Sequence, residues 1–118
     1  MPLRGEPEAR RFYGEILGLR EVAKPAALAD RGGCWFVGPG GTAIHLGIDQ
    51  RFIAAKKAHL CLIVGDLTAA RRRLAATDTP VIEDDAQAGL DRCYTADPFG
   101  NRIELVDALD AGFTAREG

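Results

Sequence analysis

The sequence is poor in the residue types that would announce a function. Its three cysteines are an odd number with no CxxC pair, which excludes a disulfide framework and suits reduced, semi-buried thiols in a cytosolic protein. An excess of positive charge is lacking: the formal net charge is −2 and the pI about 5.6, so no electrostatic footprint for nucleic acid exists. The basic run Arg71-Arg72-Arg73 spreads around a helix as a solvated face. No apolar run approaches the ~20 residues needed to cross a bilayer. The opening Met-Pro-Leu-Arg-Gly-Glu lacks the apolar core of a signal peptide, so a cytoplasmic location is expected. What remains is 118 residues, 47% of them apolar, enough for one domain with a real core.

What the sequence does contain is a repeat. Cys34-Trp35-Phe36-Val37-Gly38-Pro39-Gly40-Gly41-Thr42-Ala43-Ile44-His45-Leu46 aligns without a gap on Cys93–Leu105, 59 positions later. Cysteine falls on cysteine, Trp35 on Tyr94, Pro39 on Pro98, Gly41 on Gly100, and His45 on Glu104. Both copies read as two strands around a turn, with Pro98 presetting φ and Gly100 and Asn101 tolerating left-handed backbone. Period-two alternation puts Ile103 and Leu105 on one face and Glu104 on the other. Such a repeat fixes the architecture before local propensities are weighed.

The chain in order supports two related halves, a first module over 1–50, a second over 55–107, and a tail or terminal helix over 108–118. Residues 1–7 read as a loop or frayed start. Glu8–Leu17 carries Ala9, Phe12, Tyr13, Ile16 and Leu17 on one helical face, with Gly18 placed for a left-handed C-terminal cap. A strand is expected over Leu19–Val22 and a short one near Leu28, before the first hairpin at Cys34–Ile48. His59–Val64 is a strand of apolar and β-branched residues, Asp66 an N-cap, Leu67–Ala76 a helix, Val81–Glu83 a strand and Asp84–Asp91 a polar loop. The second half thus reads strand, helix, three strands, and the first reads helix, three strands. Projecting the repeat back from His59 lands at or before Met1, so the first strand of the first module is expected to be missing. The fold class is α+β: two pseudo-twofold-related βαβββ modules forming a curved mixed sheet.

The two histidines sit where chemistry is plausible. Taken singly, a strand histidine is a satisfied polar group at a core edge, and a strand glutamate is solvated. Packed around a pseudo-twofold axis, however, His45 and Glu104 would oppose one another, with His59 beside them. Two imidazoles and a carboxylate suit Fe, Ni, Mn or Zn and leave coordination positions open for substrate. Tyr94 is a candidate hydrogen-bond donor, although Trp35 in the matching slot also fits an aromatic placed for packing. Cys61, Cys34 and Cys93 read as core thiols.

Three segments together resemble the vicinal oxygen chelate superfamily of glyoxalase I, extradiol dioxygenases and the fosfomycin and bleomycin resistance proteins. They are Ala9–Leu19 (ARRFYGEILGL), His59 ahead of Asp66-Leu67, and Asp97–Leu105 (DPFGNRIEL). The resemblance spans nearly the whole chain and implies paired βαβββ modules around a divalent metal, commonly in a homodimer. It places metal ligands at His59 and Glu104. His45 stands where glyoxalase I has a glutamate, and Tyr94, ten residues before Glu104, where extradiol dioxygenases have an assisting tyrosine. Glu104 and Tyr94 are thereby the expected catalytic pair, and His45, His59 and Glu104 the expected metal set. The expectation is a metal-dependent glyoxalase- or dioxygenase-like enzyme acting on a small oxygen-rich substrate. The alternative is a metal-free small-molecule binding or resistance protein of the same fold.

Overall fold

Each half of the chain forms its own sheet with a helix on one face. The computed structural model describes residues 1–83 and 91–108, in two compact units, Met1–Ala54 and Ala55–Gly118. The polar loop expected over Asp84–Asp91 and the tail expected over 108–118 lie outside the described residues except for Asp91 and Ala108. Among the described residues no helix is long and apolar enough to cross a membrane.

In the first unit, a helix begins as α1 (Glu6–Ala9), with a proline in its first turn, and continues as a π-helix over Arg10–Ile16. It starts two residues before the apolar stripe suggested, because Pro7 suits a first helical turn, where its missing N–H costs nothing. Of the expected stripe, Ala9, Phe12, Tyr13 and Ile16 are buried and Leu17 is half-buried. Gly18 ends the helix at φ +77°. The chain start is not frayed, since Met1 is buried and its amine donates to the Gly47 carbonyl at 2.7 Å. Strands β1 (Arg20–Val22), β2 (Cys34–Val37) and β3 (Ala43–Leu46) form an antiparallel sheet in that order. No strand forms near Leu28; Ala26–Arg31 is a 3₁₀-helix, in which Leu28 N donates to Pro25 O at 2.8 Å. An Ala-rich run after a proline, flanked by Gly32 and Gly33, closes a local turn more readily than it finds a strand partner.

The second unit is a complete βαβββ module. Its strands β4 (Leu60–Val64), β5 (Val81–Glu83), β6 (Arg92–Ala96) and β7 (Arg102–Asp107) lie in the order β4-β7-β6-β5. Only β4 and β7 run parallel, because α2 (Leu67–Ala76) carries the chain across from β4. α2 buries Leu67, Ala70 and Leu74, and the sheet face carrying Cys93, Thr95, Ile103 and Leu105 is likewise buried. Asp66 caps α2, its carboxylate accepting from Ala69 N at 3.0 Å. Replacing it by alanine is expected to cost about 1 kcal/mol in a urea melt, with no change in the denaturant slope.

The registers reproduce the repeat pair by pair. Trp35 faces His45 across β2 and β3, and Tyr94 faces Glu104 across β6 and β7. Cys34 faces Leu46 as Cys93 faces Leu105, and both cysteines are buried. Cys61 is different: it is exposed on the edge strand β4, so its reading as a core thiol is corrected. An edge strand has a neighbour on one side only, and strand composition does not reveal which strands lie at an edge.

Candidate functional site

Strand pairing in the second unit lines up one row of side chains across the open face of its sheet. Ile82 pairs with Tyr94, Tyr94 with Glu104, and Glu104 with Cys61. The helix covers the opposite face, so this row is where the fold can present polar groups without burying them in the core. Glu104 is nevertheless only 9% exposed, and a carboxylate so shielded needs partners. It has two. Its Oε1 lies 3.0 Å from His59 Nε2, and its Oε2 accepts from Arg92 Nη1 at 3.0 Å.

His59 is fixed at both ring nitrogens, its Nδ1 lying 2.9 Å from the Lys57 carbonyl oxygen. Both nitrogens therefore face oxygen acceptors, an arrangement that only the doubly protonated ring satisfies fully. The Lys57 carbonyl and then Glu104 accordingly hold the imidazole above its ordinary pKa. The Tyr94 ring stands edge-on to His59, centroids 5.7 Å apart, and the Arg102 guanidinium carbon lies 3.9 Å from the Tyr94 centroid. The Cys61 thiol is pushed up by partial burial and by the Glu104 charge, which leaves it a poor nucleophile.

The structure thus brings His59, Glu104 and Tyr94 together. His45 belongs to the first unit, exposed on its sheet and stacked on Trp35 with ring centroids 3.5 Å apart and planes at 2°. Two residues absent from the sequence reading join the site, Arg92 and Arg102. Their signal was available in the repeat: once Tyr94 faces Glu104, Arg92 sits diagonal to Glu104 and Arg102 diagonal to Tyr94, within reach of long side chains.

The His59–Glu104 pair fits a divalent metal in chemistry and in spacing. Two ligands about 2.0–2.2 Å from one ion at ~90–110° stand roughly 2.8–3.6 Å apart. The observed separation is 3.0 Å. The Lys57 carbonyl stands where an outer-shell acceptor would stand to orient a ligating imidazole through Nδ1. A metal and a proton would compete for that nitrogen. Among the described residues, no three His, Cys, Asp or Glu side chains are gathered as a metal-binding group.

A glyoxalase-like domain model matches residues 4–106. A solved structure described as a glyoxalase family protein from Bacillus anthracis is 43% identical, with a TM-score of 0.85 over 91% of this chain and 87% of that one. A glyoxalase/dioxygenase from Nostoc punctiforme shares the fold at 21% identity and TM-score 0.72, covering 91% and 86% of the two chains. A lactoylglutathione lyase from Agrobacterium tumefaciens does so at 20% and 0.68, covering 92% and 89%. No curated protein matches. With hairpin registers that repeat, a complete βαβββ module, and a domain match spanning nearly its whole length, this chain belongs to the glyoxalase-like family of the vicinal oxygen chelate superfamily.

Proposed function

We propose that this chain is a glyoxalase- or dioxygenase-like enzyme that holds a divalent metal through His59 and Glu104, with His45 as a third ligand. Its substrate is a small molecule with neighbouring oxygens. The observation that carries the reading is the anchored pair: an imidazole fixed by the Lys57 carbonyl and set 3.0 Å from a shielded carboxylate, on the sheet face opposite the helix. When bound, the metal supplies Lewis acidity to the paired oxygens of the substrate. Glu104 is the catalytic carboxylate, oriented by Arg92 through Oε2 so that Oε1 faces the site. Tyr94 donates a hydrogen bond to the reacting group. The homodimer that the family resemblance implies is part of the same proposal.

Metal analysis of protein grown with Fe, Ni, Mn and Zn tests this directly. Near-stoichiometric metal is expected in the wild type, with a fall of more than about tenfold in His59→Ala and in Glu104→Ala, since even outer-shell changes weaken metal sites by ~10–100-fold. Wild-type protein without metal sinks the reading. Full retention in His45→Ala removes that residue from the ligand set.

One observation favours a metal-free binding protein of the resistance type instead. Arg92 already occupies one Glu104 oxygen, and Arg102 lies close enough to His59 to oppose its positive charge, so cations are plentiful before any metal arrives. On this second reading, ligand affinity is the same before and after chelator treatment.

A further inference from the structure

In the second unit, a cleft of about 380 Å³ opens beside Tyr94. That is within the ~300–1,000 Å³ of small-molecule sites. Its walls divide by chemistry. Most of its exposed lining is apolar, with Pro80 and Ile82 in the wall, and the basic residues Lys56, Lys57 and Arg102 border it. No acidic side chain among the described residues lines it, and among those residues none of the three cations is in an ion pair. Arg102 is held by the Tyr94 ring, a contact that spends none of its N–H donors on a hydrogen bond. Ile82, 64% exposed, is a large apolar side chain left in water at the same place.

The two kinds of lining ask for different parts of one molecule. The three cations offer an arriving anion N–H donors that no ion pair among the described residues engages. The apolar wall gains nothing from a bare inorganic anion, and the cations gain nothing from a neutral hydrocarbon. We propose that this cleft binds an organic carboxylate with an apolar body, the carboxylate on Arg102, Lys56 and Lys57 and the body against Pro80 and Ile82. The inference rests on the proposed function only in taking the Tyr94 face as the working face; the binding itself needs no metal.

Calorimetric titration of the full chain with 2-naphthoate in the presence of EDTA tests it, against neutral 2-naphthamide and inorganic phosphate. Naphthoate is expected to bind at least about tenfold more tightly than either, the range a charge-assisted hydrogen bond provides. Arg102→Gln is expected to weaken naphthoate about tenfold, and Arg102→Lys to recover only part of that loss, because the charge stays but the planar fork and its stacking on Tyr94 do not. Lys56 and Lys57 are exposed, so reversing both to glutamate leaves the fold intact and is expected to weaken binding by about fivefold or more. No binding of naphthoate, equal binding of naphthamide, phosphate binding as tightly, or indifference to Arg102→Gln and the lysine reversal each overturns the proposal. Naphthoate binding in chelator by a protein found to hold no metal sinks the metal reading and leaves this one standing. A protein that holds metal through His59 but ignores naphthoate does the reverse.

Discussion

Gly33→Ala is expected to remove at least about 3 kcal/mol of stability, a large share of the ~5–15 kcal/mol typical of a folded domain. Gly33 leads into β2 with φ +81°, a left-handed conformation that costs an L-residue roughly 1–2 kcal/mol. The larger part comes from space. A Cβ built on Gly33 would stand 2.1 Å from the Leu46 carbonyl oxygen, and this is backbone, which cannot swing aside as a side chain can. Relief requires pulling β2 away from β3 at the Cys34–Leu46 pair, where Cys34 is buried. Gly40→Ala is the control. Its φ is +70° with nothing within 4 Å of the added methyl, so it carries only the backbone cost, about 1–2 kcal/mol. Urea midpoints of the two variants separate steric from conformational cost; equal shifts would mean that the β2–β3 end is not closely packed at Gly33.

The repeat explains why so much of the fold was legible and where legibility stopped. Turn chemistry and strand parity are local, and they aligned Trp35 with Tyr94 and His45 with Glu104, as the two hairpin registers show. The second helix was equally readable, because Asp66 and an apolar stripe mark it locally. The change from α- to π-helix at Arg10 has no such mark. Nor does the placement of Cys61, since strand composition does not say that β4 is an edge. At the site, parity placed Glu104 on the open face but could not name its second partner. Arg92 reaches Glu104 only through the diagonal of a register that is certain once the hairpin exists. The cleft was less legible still, because Lys56 and Lys57 arrive from the connection between the units, with no pattern linking them to Arg102.

That connection is positioned by the turn, and this makes Asp97→Ala the second large effect. Asp97 is 4% exposed; its Oδ1 accepts from Phe99 N and from Asn101 N, both at 2.9 Å, and its Oδ2 from Asn101 Nδ2 at 2.8 Å. Truncation leaves those three donors in a shielded turn without their acceptor, and the expected cost is about 3–4 kcal/mol, as each orphaned group costs ~1–3 kcal/mol and some relaxation is possible. Asp97→Asn discriminates sharply. Its carbonyl can still serve the two backbone donors, but its amide would face the Asn101 amide, donor against donor. Flipping Asn101 would restore that contact only by surrendering the bond its Oδ1 accepts from Ala55 N at 2.8 Å. A cost of about 1–2 kcal/mol is therefore expected for the asparagine. The turn also sets the site. Arg102 N donates to Ala55 O at 2.8 Å, so Asn101 and Arg102 together tether the chain that carries Lys56, Lys57 and then His59. In Asp97→Asn, folded protein is accordingly expected to lose naphthoate affinity by about threefold or more as that tether loosens. Unchanged affinity alongside reduced stability would show that residues 55–59 are held by something other than the turn.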